Sequence, residues 1–165
     1  MDKSLLRFKS FCEEVLSICD EVGVTPIIYG SLAVRHYTGG DESIPVNDLD
    51  FLVPDACLGS VLAILNDREI EHSFDSEWRS LILLKGGSKI ELDSIELYHP
   101  GEHHFDCFDF FGLSLKVIGL TALKAVYDEA AFNDPENPSY KKKCDILRDV
   151  PESHLGVVDG PPAAG

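Results

Sequence analysis

The sequence predicts an α+β fold in which a small mixed β-sheet carries flanking helices and a helical pair closes the C-terminal part. Three observations predict it. Residues 5–22 place Leu5, Phe8, Cys12, Val15, Leu16 and Cys19 three and four apart, the stripe of an amphipathic helix. Short apolar runs of strand length recur at 25–29, 48–53 and 79–97. Two helical segments, 120–132 and 140–148, flank the breaker Asn133-Asp134-Pro135-Glu136-Asn137-Pro138.

Each element has a local reason. Gly23 ends the first helix, and Thr25-Pro26-Ile27-Ile28-Tyr29 reads as a buried strand. Gly30-Ser31 is a tight turn into a helix over 32–37, followed by a polar loop at 39–43. Asp48-Leu49-Asp50-Phe51-Leu52-Val53 is a strand stopped by Pro54. Asp55 is placed to cap a helix running to about Leu65, with Leu58, Val61, Leu62 and Leu65 on its buried face. A short strand is expected over 69–74, and Gly86-Gly87-Ser88 joins runs 79–85 and 89–97 into a hairpin. One domain over 1–150 is expected, with 151–165, rich in Gly, Pro and Ala, read as a disordered tail.

The 165 residues are 44% hydrophobic and 26% charged, ordinary for a globular chain, and no apolar run reaches the ~20 residues of a membrane helix. The charged N-terminus lacks an apolar leader, so a cytoplasmic protein with no membrane partner is expected. A formal charge of −15 disfavours extensive nucleic-acid binding and favours cationic ligands. Five scattered cysteines form no CxxC pair and suggest neither a disulfide framework nor a zinc knuckle.

The chemistry concentrates at two places. A strand running through Gly30-Ser31 into a helix leaves free backbone N–H groups at the positive helix end, with a hydroxyl beside them, which suits a phosphate. In a strand, Asp48 and Asp50 point to one face while Leu49 and Phe51 point to the other. Two carboxylates held together repel each other, and a hard divalent cation bound through oxygen accounts for them. Glu91 and Asp93 share a parity on the hairpin, so either can complete a triad suited to two metals. The shorter Asp93 is slightly preferred as the third metal ligand.

Gly30-Ser31, a spacer and Asp48-x-Asp50 together resemble the signature of the DNA polymerase beta-like nucleotidyltransferase superfamily, which includes minimal, antibiotic and AbiE-type toxin nucleotidyltransferases. The segments Leu115-Lys116-Val117-Ile118-Gly119-Leu120-Thr121-Ala122-Leu123-Lys124 and Lys141-Lys142-Lys143-Cys144-Asp145-Ile146-Leu147 resemble the AbiE-like pattern. The resemblance spans roughly 27–147. The spacer is longer than usual through an insertion at 39–45, and the last motif reads Lys143-Cys144-Asp145. It implies a magnesium-dependent nucleotidyltransferase that moves a nucleoside monophosphate from a nucleoside triphosphate to a hydroxyl on a small molecule, a tRNA end or a protein. Asp48 and Asp50 would hold Mg2+, and Asp93 or Glu91 would meet the metal and the attacking hydroxyl. Gly30 and Ser31 would bind the phosphates, with Lys124 and Arg35 as further phosphate-binding cations. The alternative is a non-catalytic nucleotide- or partner-binding protein of the same fold.

Three further features read as ordinary structure. His99, His103 and His104, with Glu102 and Asp106, fit a solvated loop or substrate rim better than a zinc site. Phe105, Phe108, Phe110 and Phe111 read as an apolar patch. Lys141-Lys142-Lys143 reads as a helix face.

Overall fold

The computed structural model describes residues 1–99 and 104–151. It is built on one seven-stranded sheet with six α-helices against it. The first helical stripe is broken once: a 3-10 turn over Lys3–Phe8 leads into α1 (Lys9–Glu21). Then follow β1 (Ile27–Tyr29), α2 (Gly30–Tyr37), β2 (Leu49–Val53) and, after a 3-10 turn at Asp55–Cys57, α3 (Leu58–Asp67). A meander of β3 (Glu71–Asp75), β4 (Ser80–Lys85) and β5 (Ser88–Ser94) ends in the short α4 (Ile95–Tyr98). A second hairpin, β6 (Phe105–Phe110) and β7 (Leu113–Ile118), precedes α5 (Leu120–Asn133) and α6 (Pro138–Arg148).

The strand order is β3-β4-β5-β2-β1-β7-β6. The two hairpins lie at the edges, and the central pairs are mixed: β2 runs antiparallel to β1 but parallel to β5, and β1 runs parallel to β7. The sheet is therefore mixed, as the sequence predicts. Its core face is read directly from alternation: Leu49, Phe51 and Val53 of β2, Leu81 and Leu83 of β4, and Ile90 and Leu92 of β5 are all buried. α1 contributes Phe11, Cys12, Val15, Ile18 and Cys19 to the same core. All five cysteines are free, and burial pushes the thiols of Cys12 and Cys19 up to about 12, so they act as apolar packing groups.

The β6–β7 hairpin is the element that the sequence reading did not contain. The phenylalanine patch supplies β6, with Phe105 and Phe110 buried. Phe111 and Gly112 both take positive φ, 50° and 90°, which is the two-residue turn that matches the twist of a hairpin. The run read as a strand over 89–97 ends at Ser94, and Ile95–Tyr98 forms α4 instead, while α5 and α6 pack on each other and reach α2. Among the described residues, no helix is long and apolar enough to cross a membrane. The expected tail lies outside the described residues, apart from Pro151.

The insertion between α2 and β2 is anchored by two cations. Buried Arg35 donates from Nε to the Ile44 carbonyl at 2.7 Å and from Nη1 to Asp2 at 3.0 Å. Lys142 of α6 donates to the Ser43 carbonyl at 2.7 Å. Ile44 and Val46 are thereby held in the core, and the chain arrives at Asp48 from a fixed direction. Arg35→Met strands the buried Ile44 carbonyl, and we expect urea unfolding to show a loss of about 1–3 kcal/mol. Lys142→Met, whose partner lies on the surface, is expected to lose under about 1 kcal/mol in the same measurement.

Candidate active site

The sheet brings the carboxylates together through its register. Tyr29 of β1 pairs with Asp50 of β2, and Asp50 pairs with Glu91 of β5. Asp48 lies two residues before Asp50, on the same face. One carboxylate oxygen from each of Asp48, Asp50 and Glu91 lies within 4.8 Å of the others. Among the described residues this is the one group of three or more His, Cys, Asp or Glu side chains with the spacing of a metal site.

The group with this spacing contains Glu91 and not Asp93, the residue that the sequence reading slightly preferred as the third metal ligand. Parallel pairing sets Glu91 directly beside Asp50, whereas Asp93 falls opposite Leu52, one strand repeat further into the sheet. Asp93 is almost wholly buried. Its Oδ2 accepts a 2.5 Å hydrogen bond from the Tyr29 hydroxyl, and its Oδ1 is buried without a hydrogen-bond partner. Burial raises the Asp93 carboxyl to about 6, against the pull of the Ser80 and Tyr29 hydroxyls. Tyr98 lies against Tyr29, 6.3 Å between ring centroids, and its hydroxyl meets that of Ser80 at 3.1 Å. Asp93 therefore belongs to a buried polar cluster beneath the carboxylate group.

The electrostatics of the group are strained. Burial, then the charges of Asp48, Glu91 and Asp93, push the Asp50 carboxyl well above the usual carboxylate range. Lys89 answers part of this repulsion: its Nζ lies 2.9 Å from Asp48 Oδ2 and 3.3 Å from Glu91 Oε1. The hydrogen bond to Asp48 comes first among the causes that hold the Lys89 ammonium above its ordinary value.

Gly30 sits where no other residue fits. Its φ is +74°, and a Cβ there would stand 2.3 Å from Asp50 Oδ2. The glycine lets α2 begin directly over the carboxylate group. No side chain caps that helix start, and Ser31 is half-buried with no side-chain hydrogen bond among the described residues. The first N–H groups of α2 thus have no side-chain cap and lie beside the Ser31 hydroxyl.

The remaining candidates divide. Arg35 is committed to Ile44 and Asp2 as described, and its bonds, not its charge, explain its burial. Lys124 donates to the Val150 carbonyl at 2.9 Å and ties α5 to the end of α6. Lys143 of α6 is coupled electrostatically to the carboxylate group. Desolvation lowers its ammonium, and Asp50 and Asp48 are the charges that oppose the lowering. Its Nζ stands 5.1 Å from the centre of the Tyr127 ring. Lys141 pairs with Asp145 at 3.1 Å, so the three consecutive lysines serve three different purposes. Of the histidine cluster, Glu102 and His103 lie outside the described residues, and Asp106 meets His36 at 2.6 Å.

No family model matches the chain, and no curated protein matches it in sequence. Solved structures do match in fold. The antibiotic-resistance factor ANT(2'')-Ia, in solution, aligns with TM-score 0.64 at 14% identity over 89% of this chain and 84% of its own. A nucleotidyltransferase-like antigenic protein from Paracoccidioides brasiliensis gives 0.59 at 12% identity, over 93% and 78%. The lincosamide antibiotic adenylyltransferase LnuA, with lincomycin bound, gives 0.57 at 13% identity, over 85% and 96%.

Two glycines separate the cost of backbone conformation from that of close approach. Gly39 also has a positive φ, 70°, with nothing within 4 Å of a Cβ. Gly39→Ala is expected to cost about 1 kcal/mol, and Gly30→Ala at least about 1 kcal/mol more. Chemical denaturation checks both, and in an Asp50→Ala background, which removes the oxygen at 2.3 Å but keeps a Cβ at 3.1 Å, that excess should shrink. The chain shares its fold with the solved structures of ANT(2'')-Ia, LnuA and the nucleotidyltransferase-like antigenic protein.

Proposed function

We propose that the chain is a magnesium-dependent nucleotidyltransferase that transfers a nucleoside monophosphate from a nucleoside triphosphate to a hydroxyl acceptor. The observation that carries this reading is the group Asp48, Asp50 and Glu91 beneath the uncapped start of α2. Its donors are all carboxylate oxygens, Gly30 leaves room above Asp50, and an ammonium already bridges two of the three side chains. Such a set fits a hard divalent cation. Bound there, Mg2+ would supply charge neutralisation for the phosphates and for the attacking and leaving oxygens.

This chain's own residues account for the remaining requirements. Asp48, Asp50 and Glu91 would be the ligands, and Glu91 would also accept the proton of an acceptor hydroxyl. The N–H groups at the start of α2 and the Ser31 hydroxyl hold the terminal phosphates. Lys143 enters from α6 as the point charge that the sequence reading gave to Lys124. Asp93 is a positioning residue: through Tyr29 it fixes the strand end from which Gly30 and Ser31 turn.

The acceptor reading follows from the uncovered face of the meander. Glu71, Ser73 and Asp75 of β3 and Leu84 of β4 share the face of Glu91 and are exposed, with half-buried Ile82 between them. An acidic floor with an apolar strip, on a chain of charge −15, suits a cationic small molecule bearing hydroxyls better than a tRNA end. Among similar folds, ANT(2'')-Ia is known with adenylyl-2''-tobramycin, which supports a small-molecule acceptor.

Turnover of labelled triphosphates with candidate polyol acceptors tests the reading. Asp48→Asn, Asp50→Asn and Glu91→Gln should each lose about a thousandfold or more in kcat. Asp93→Asn should lose much less. Lys143→Ala should lose about tenfold to a hundredfold, seen mainly in KM for the triphosphate. Full activity in the three carboxylate variants would leave the alternative of a non-catalytic nucleotide- or partner-binding protein.

A further inference from the structure

We infer that Lys89 is a built-in counter-ion of the carboxylate group: it holds Asp48 and Glu91 together when no metal is present and must release them for a metal to enter. The inference rests on the metal-site reading above and concerns a residue to which that reading assigns no role in catalysis. Lys89 is the second residue of β5, close to the Gly86-Gly87 turn, and shares a strand face with Glu91, two residues on. Its ammonium bridges Asp48, at 2.9 Å, and Glu91, at 3.3 Å. These are two of the three side chains that converge within 4.8 Å.

A position touching two ligands at once is the position from which an ammonium competes with a cation for the same oxygens. The Lys89 side chain is 39% exposed, against 24% and 23% for its two partners. It has a solvated route by which to swing away on its four-carbon stem, whereas the carboxylates stay where the sheet holds them. The contact has two consequences of opposite sign. Without metal, Lys89 relieves the repulsion that the register imposes on Asp48, Asp50 and Glu91. With metal, the same contact must be given up, which weakens apparent affinity. The other hairpin lysine provides the control. Lys85 carries the same charge but pairs with Glu14 at 2.6 Å, away from the group.

The test is Mn2+ binding to the full chain, followed by calorimetry and by water-proton relaxation, with melting temperatures read in chelator and in Mn2+. Lys89→Gln is expected to bind Mn2+ about three- to tenfold more tightly than the unaltered protein. It should also melt lower in chelator and gain more on adding Mn2+. Lys89→Arg should restore the unaltered affinity to within about twofold, and Lys85→Gln should leave it unchanged. Equal or weaker Mn2+ binding by Lys89→Gln overturns the counter-ion role while leaving the metal site intact. Equal tightening by Lys85→Gln overturns it as well, by reducing the effect to net charge. If the unaltered protein binds no Mn2+, the metal-site reading and this inference fall together.

Discussion

The pairing of Asp50 with Glu91 across two parallel strands is the constraint on which the site depends. Two carboxylates held side by side by backbone hydrogen bonds cannot separate without breaking the sheet, and Asp48 adds a third. The chain tolerates this arrangement because the opposite face of the same strands, through Leu49, Phe51, Ile90 and Leu92, is fully buried in the core. A one-residue slip would expose that apolar set and bury the acids. The hydrophobic core therefore enforces the electrostatic strain, and the strain makes the group a place for cations.

Other features answer that constraint. Gly30 permits α2 to start against Asp50, so the positive end of the helix faces the negative group. Lys89 and Lys143 approach from opposite elements, one from the hairpin and one from the last helix, and neither is fully solvated. Arg35 and Lys142 contribute at a distance, because the insertion that they anchor delivers the chain to Asp48. The cluster of Tyr29, Asp93, Ser80 and Tyr98 stiffens the sheet beside the group through the Tyr29–Asp93 and Ser80–Tyr98 hydrogen bonds.

Much of this was legible in the sequence. Period-two alternation sufficed to put Asp48 and Asp50 on one face, and Gly-Ser before a helical run sufficed to mark the turn at Gly30. Parity could not choose between Glu91 and Asp93, because both obey it; only the register of β5 against β2 distinguishes them, and register is a tertiary property. The β6–β7 hairpin went unread because three phenylalanines dominate its first strand. The signal was present in the alternation of Leu113, Leu115 and Val117 and in the turn at Phe111-Gly112. Lys143 was hidden in a run of three lysines whose different partners appear only once α6 is docked. Arg35, one turn from Ser31, looked available to phosphate, and its commitment to Ile44 depends on an insertion whose path the sequence did not reveal.

Anomalous scattering at the manganese edge, from crystals grown with Mn2+ and a non-hydrolysable nucleoside triphosphate, tests the central claim most directly. An anomalous peak is expected between Asp48, Asp50 and Glu91, with the terminal phosphates against the start of α2 at Gly30 and Ser31. A peak elsewhere, or a triphosphate bound away from that helix start, would contradict it.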